Sequence, residues 1–172
     1  MKVKAVAKGI FTFTLSTGAS TLYLGGVNPQ AGKPTYVSID TSQGFWAATS
    51  KINGASISSI VDTGTTLIIA PTDYAKDLFD SLKDVDTFTE GDTLYGTYDC
   101  DNPPTVTYAF GRFSTAMSDD TLKFGQTQSG QCIMSIIGYD TGFNAVIAGD
   151  SFLQNVHAVF DRDSDRMGFS KQ

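Results

Sequence analysis

With 172 residues, 41% of them apolar and 12% aromatic, the chain is long enough to bury a core and too rich in aromatic side chains to stay disordered. Its 18 acidic and 12 basic residues give a net charge of −6. That excludes nucleic acid as a partner, because Lys2, Lys4 and Lys8 form the sole basic cluster and no positive stripe exists for a phosphate backbone to follow. No run of eighteen apolar residues occurs, so no segment reads as a membrane-spanning helix and no membrane partner is expected.

In chain order, the opening "MKVKAVAKGIFTFTL" is broken by Lys8, Thr12 and Thr14. It reads as a strand entering a sheet, with Ile10, Thr12 and Thr14 alternating against Phe11, Phe13 and Leu15, and not as a secretion leader. The expectation is a mature polypeptide. Further strands are predicted in "TLYLGG", "YVSID", "FWAATSKI", "ISSIVDT" and "LIIAP", with Asn53-Gly54 as the strongest hairpin signal. "APTDYAKDLFDSLKDV" reads as a helix. Pro71 suits its first position, Asp73 its first turn, and Tyr74, Leu78, Phe79 and Leu82 make one apolar face.

Strands follow in "TVTYAF", "LKFG", "CIMSIIGY" and "NAVIAG". A short helical turn is expected to start at Asp150, its carboxylate capping "SFLQN". "HAVFD" and "MGFSK" form a closing hairpin. No repeat or linker interrupts the series, so residues 1–172 are read as a single all-β domain with two short helices.

Cys100 and Cys132 are too few for a zinc site beside one histidine, and no metal or cofactor is called for. An even pair in an acidic β-rich domain suggests a disulfide and an oxidising compartment; two buried thiols are the alternative.

The stretch "SSIVDTGTTLIIAP", Ser58 to Pro71, concentrates the chemistry. Ile60 and Val61 belong inside a sheet, Gly64 permits a sharp turn, and Asp62 stands at the tip of that buried strand. A carboxylate so placed is partly desolvated and surrounded by backbone N–H groups, conditions that serve acid–base work. The hydroxyls of Thr63, Thr65 and Thr66 are ready partners. From the tripeptide alone, a self-capping turn is the competing reading. "GDSF" at Gly149–Phe152 offers a rival nucleophile, Ser151, with His157 as base, but the two lie six residues apart near the end of the chain and His157 alternates in a strand with Val156 and Ala158.

"IVDTGTTLIIAP" resembles the active-site loop in the second lobe of pepsin-like aspartic proteases. "GIFTFTLS…TLYLGGVN", "FWAAT" and "AVIAGDSFLQNVHAVFDRDSDRMGF" resemble further segments of that lobe in the same order, covering most of positions 9 to 170. The resemblance implies the C-terminal half of a bilobal β-barrel enzyme, with Cys100 and Cys132 as its disulfide.

It also implies an aspartic endopeptidase working at acid pH, with Asp62 as one of two carboxylates that share a proton and activate a water. Thr65 would hydrogen-bond Asp62, Gly64 would let backbone approach substrate, Thr66 would border the cleft, and Thr63 would support the loop. The implied partners are an N-terminal lobe carrying the second aspartate, a peptide or protein substrate with large apolar side chains at the scissile bond, and pepstatin-type inhibitors. The implied setting is secreted, or a vacuole- or lysosome-like lumen.

One carboxylate cannot both activate water and protonate a carbonyl, so the isolated chain is expected to be inactive. Self-pairing into a retroviral-like homodimer through an apolar interlobe face, or service as a non-catalytic binding lobe, are the alternatives. Phe45, Trp46, Tyr95 and Tyr98 read as core packing or as cleft lining, and Ile136 to Tyr139 as a variable cleft edge.

A second Asp-Thr-Gly, Asp140 to Gly142, does not match the family pattern. Phe143 follows where a hydroxyl residue is wanted, Gly138 and Tyr139 precede where β-branched residues are wanted, and no later apolar-apolar-Gly strand remains to lie beside it. Asp140 is expected to cap its own surface turn through Thr141.

Overall fold

A computed structural model of the chain describes residues 6–172; Lys2 and Lys4 of the basic cluster lie outside them. Strands β1 (Ile10–Thr14), β2 (Thr21–Leu24) and β3 (Thr35–Ser38) precede the hairpin of β4 (Ala47–Ile52) and β5 (Ala55–Val61). Next come β6 (Ile68–Ala70), helix α1 (Thr72–Ser81), and a second hairpin of β7 (Val85–Glu90) and β8 (Thr93–Tyr98). After β9 (Thr107–Phe110) and β10 (Phe113–Ala116) stand the one-turn helix α2 (Asp119–Leu122) and β11 (Lys123–Gln126). The remaining elements are β12 (Cys132–Gly138), β13 (Val146–Ala148), the one-turn helix α3 (Asp150–Leu153), β14 (Val156–Asp161) and β15 (Arg166–Lys171).

The all-β lobe expected from the sequence is the fold observed, with α2 added to the two expected helices. A smaller sheet runs β2-β1-β14-β15-β3, and a larger one β10-β9-β4-β5-β13-β6-β12-β8-β7, with β11 paired to β12. Among the described residues neither sheet closes on itself: β2 and β3 edge the smaller one, and β10, β7 and the branching β11 each have a single partner in the larger. Asn53 (φ 46°) and Gly54 (φ 88°) are both left-handed, as the tight two-residue hairpin between β4 and β5 requires.

β1 alternates as predicted, but its threonine face is the more deeply buried. Thr12 Oγ1 donates to the Gly26 carbonyl and accepts from Asn28 N–H, while Thr14 Oγ1 lies 2.7 Å from His157 Nδ1. Buried hydroxyls are tolerated because each has a partner. Burial also pushes the His157 imidazole below its ordinary value, since desolvation disfavours the charged ring.

An aromatic core joins the two sheets. Phe110 on β9 stacks on Phe169 of β15 with ring centroids 4.5 Å apart, and Tyr108 lies equally close to Phe152 of α3. The Tyr108 hydroxyl, otherwise stranded in this core, reaches Ser59 at 2.5 Å, and Ser59 reaches Ser50 at 2.6 Å. α1 buries Ala75, Leu78 and Phe79; of the other residues in its predicted face, Tyr74 is half-buried and Leu82 stands just past the helix end, both packed against the core. Pro71 stands one residue before the helix and caps nothing with its side chain.

Cys100 and Cys132 form a disulfide with Cα atoms 5.1 Å apart, tying the loop after β8 to the start of β12 across a sequence separation of 32. Closing a loop of that length restricts the unfolded chain. Replacing both cysteines with serine is expected to lower unfolding stability by about 3–4 kcal/mol, read as a lower urea midpoint for the double variant.

Candidate active site

The site begins where β5 stops. β13 lies between β5 and β6, parallel to the first and antiparallel to the second, so the loop from Asp62 to Leu67 must arch over the end of β13. Gly149 stands at that end. A β-carbon built there would lie 2.2 Å from the Thr65 carbonyl oxygen and 2.4 Å from that of Leu67, so glycine is required by the close approach of backbone. The contact is then stitched by hydrogen bonds. Asp62 N–H donates to the Ala148 carbonyl at 3.1 Å, Asp150 N–H to Thr65 at 2.7 Å, and Ser151 N–H to Thr66 at 3.0 Å.

Held this way, the Asp62 carboxylate is fixed at both oxygens. Gly64 N–H donates to Oδ1 at 2.9 Å and Thr65 Oγ1 donates to Oδ2 at 2.7 Å. Hydrogen bonds to a charged acceptor are stronger than neutral ones, so these two donors hold the carboxyl group in one orientation. Of the three threonine hydroxyls in the loop, that of Thr65 is the one bonded to the carboxylate. Thr63 and Thr66 are exposed, and Thr66 contributes its carbonyl, which also accepts from Ser151 Oγ at 3.0 Å.

Asp62 opens onto a pocket of about 320 Å³ whose other walls include Phe45, Trp46, Ile60, Phe143 and Ile147. Phe45 and Phe143, 43% and 44% exposed, meet edge to face at its rim with centroids 5.6 Å apart. The structure thus brings Phe45 and Trp46 beside Asp62, while Tyr95 and Tyr98 sit on β8, Tyr95 stacked on Phe88 and Tyr98 in the core. In the sequence Phe143 stands out only as the residue after Gly142 where a hydroxyl is wanted; its place at the pocket depends on a contact across the fold.

Two sequence expectations need correction. Asp150 does not cap α3 with its side chain; Gly149 precedes the helix and Asp150 is its first residue. Its Oδ1 is buried without a hydrogen-bond partner. Desolvation, and after it the nearby charge of Asp62, holds this carboxyl above the ordinary carboxylate range. Asp140 does not cap its own turn either: its Oδ1 accepts from Thr72 N–H, the first amide of α1, at 2.9 Å. The rival serine site does not assemble. Ser151 donates to Thr66 and His157 is paired with Thr14.

A family model described as eukaryotic aspartyl protease matches residues 1–172.

The chain belongs to that family.

Secreted aspartyl protease 1 of Malassezia globosa is 37% identical over 174 residues, covering 99% of this chain and 44% of the relative. The aspartic protease of Phaffia rhodozyma is 36% identical, covering 96% and 44%. Penicillopepsin-2 of Penicillium janthinellum is 32% identical, covering 95% and 44%. The chain therefore spans less than half the length of these aspartyl proteases, as one pepsin-like lobe does.

Two outcomes are expected from the loop geometry. Gly149→Ala would force the Thr65 and Leu67 carbonyls apart and destabilise the lobe by about 3 kcal/mol or more, seen as a lower midpoint in urea. Asp150 keeps its proton to higher pH in the folded state than in the unfolded one, so its contribution to stability declines as pH rises above the ordinary carboxylate value. Asp150→Asn is expected to leave stability unchanged near roughly pH 3 and to raise it near neutrality. Thermal melts of both proteins at the two pH values check this.

Proposed function

We propose that the chain is the C-terminal catalytic lobe of an aspartic endopeptidase, with Asp62 as one of two carboxylates that act on a water at the scissile peptide bond. The observation that carries this reading is the Asp62 carboxylate itself, bonded by Gly64 N–H and Thr65 Oγ1 and set against an apolar pocket.

Such a carboxylate is oriented to take a proton from water, but peptide hydrolysis also needs an acid opposite it. Two carboxyls close together share one proton because both cannot ionise cheaply. The second is supplied by an N-terminal lobe, consistent with the 44% of each relative that the chain covers. Leu22 and Leu24, exposed on the edge strand β2, are apolar surface that a further lobe would cover. In the assembled enzyme Gly64 leaves room for substrate backbone and Thr66 borders the cleft. The pocket receives a large apolar side chain beside the scissile bond. The name of the Malassezia globosa relative and the disulfide support a secreted setting.

The test is reconstitution. Mixed with its N-terminal lobe, the chain is expected to digest an acid-denatured protein at low pH and to bind a pepstatin-type inhibitor, while the isolated chain does neither. Asp62→Asn should reduce the rate by about ten-thousand-fold and leave the thermal midpoint close to that of the parent. Activity of the isolated chain, accompanied by a dimer mass in solution, would replace this reading with the self-paired enzyme. Full activity of the Asp62→Asn assembly would end it.

A further inference from the structure

The second Asp-Thr-Gly has no part in the chemistry above, yet its aspartate makes a long-range contact. β12 ends at Gly138, and a β-carbon there would lie 3.0 Å from Ala75 Cβ and 3.3 Å from Thr72 Cα. The missing side chain lets β12 run close against the first turn of α1. Tyr139 N–H then continues the ladder onto the Ala70 carbonyl at 2.9 Å, and Asp140 Oδ1 takes the amide of Thr72 at 2.9 Å. That amide needs an outside acceptor, because the first turn of a helix has no carbonyls above it and Pro71 offers no side-chain cap. A negative charge at this end is also favoured by the helix dipole.

Three residues further on, Phe143 packs against Phe45 at the rim of the pocket that contains Asp62. Between them Gly142 takes φ +85°, and Phe143 N–H turns back to Thr141 Oγ1 at 3.4 Å. Residues 139–145 span the gap from β12 to β13 and carry one wall of the pocket without belonging to either strand. A loop of this kind holds an exposed ring in place only if its backbone is restrained.

We propose that Asp140 is a positioning residue: by mooring the 139–145 loop to the N-terminus of α1, it fixes Phe143 over the pocket and so sets the preference for a large apolar substrate side chain. The statement about substrate choice rests on the proposed peptidase reading; the mooring itself does not.

Two measurements test it separately. In the chain reconstituted with its N-terminal lobe, Asp140→Ala is expected to raise KM roughly 5–10-fold for a peptide presenting Phe to the pocket. Its kcat, and both constants for the matched Ala peptide, should stay within about twofold. Asp140→Asn, whose amide oxygen accepts the same bond, should behave as the parent. Equal losses on both peptides, or an Asp140→Asn as impaired as Asp140→Ala, would overturn the proposal.

In the chain alone, NMR contacts between the Phe45 and Phe143 rings should vanish in Asp140→Ala and persist in Asp140→Asn. Ring contacts that survive in Asp140→Ala would equally overturn it. If the parent assembly cleaves nothing, the peptidase reading fails while the ring contacts still decide the mooring.

Discussion

Two carbonyl oxygens, of Thr65 and Leu67, crowd the place where residue 149 would carry a β-carbon, and the geometry around Asp62 depends on that crowding. Because Gly149 has no side chain, the 62–67 loop settles onto the end of β13. Asp150 and Ser151 can then donate their amides upward into it. Thr65 is held through its carbonyl from below, which leaves its hydroxyl free to face Asp62. Ser151 and Thr66 are 85 residues apart in sequence. The carboxylate thus acquires its partners only when distant parts of the chain have come together, and α3 is kept in place by Phe152 within the aromatic core. The geometry around Asp62 and the packing of the core are the same constraint seen at two depths.

The electrostatics of this arrangement point one way. Asp150 is a second carboxyl near Asp62, partly desolvated and with one oxygen unpartnered. A neutral carboxyl is the cheaper occupant of such a place, and it becomes cheaper still when another anion is near. In the two-lobe enzyme proposed above, a third carboxyl from the opposing lobe would add to the same repulsion. Low pH relieves all of it at once, along with the self-repulsion of a chain carrying −6 at neutrality. His157 runs against this trend, since burial disfavours its charged form. It lies in β14 of the smaller sheet, away from the 62–67 loop, beside Thr14.

What could be read from the sequence followed from local rules. Alternation placed β1, and short runs set off by turn residues placed β4 and β5. Asn53-Gly54 placed their turn, and the apolar spacing of Tyr74, Leu78 and Phe79 placed α1. The hairpin of β7 and β8 escaped, because β7 is an edge strand exposed along most of its length. Its Asp86, Thr87 and Thr89 therefore carry no apolar period to detect. α2 escaped because one turn is too short to show a helical repeat, although Ser118, which accepts from Thr121 N–H, is a residue type that marks helix starts. At the site, Asp62, Gly64 and Thr65 were legible as a motif. The rim pairing of Phe45 with Phe143 and the unpartnered oxygen of Asp150 were not, because each depends on what distant segments bring near.

Asp62 and Asp140 make the same point within one chain, since each begins an Asp-Thr-Gly. At Asp62 the preceding residues are Ile60 and Val61, which bury as strand and carry the carboxylate to the end of a sheet with β13 alongside. The loop closes inward, and the side chain is satisfied by its own turn. At Asp140 the preceding residues are Gly138 and Tyr139. The glycine lets the strand brush past α1, and the aspartate finds its donor on that helix instead. The tripeptide supplies a carboxylate and a bend in both places. Whether the carboxylate faces a pocket or an uncapped helix is decided by the two residues before it, because they determine which neighbour the strand end can approach.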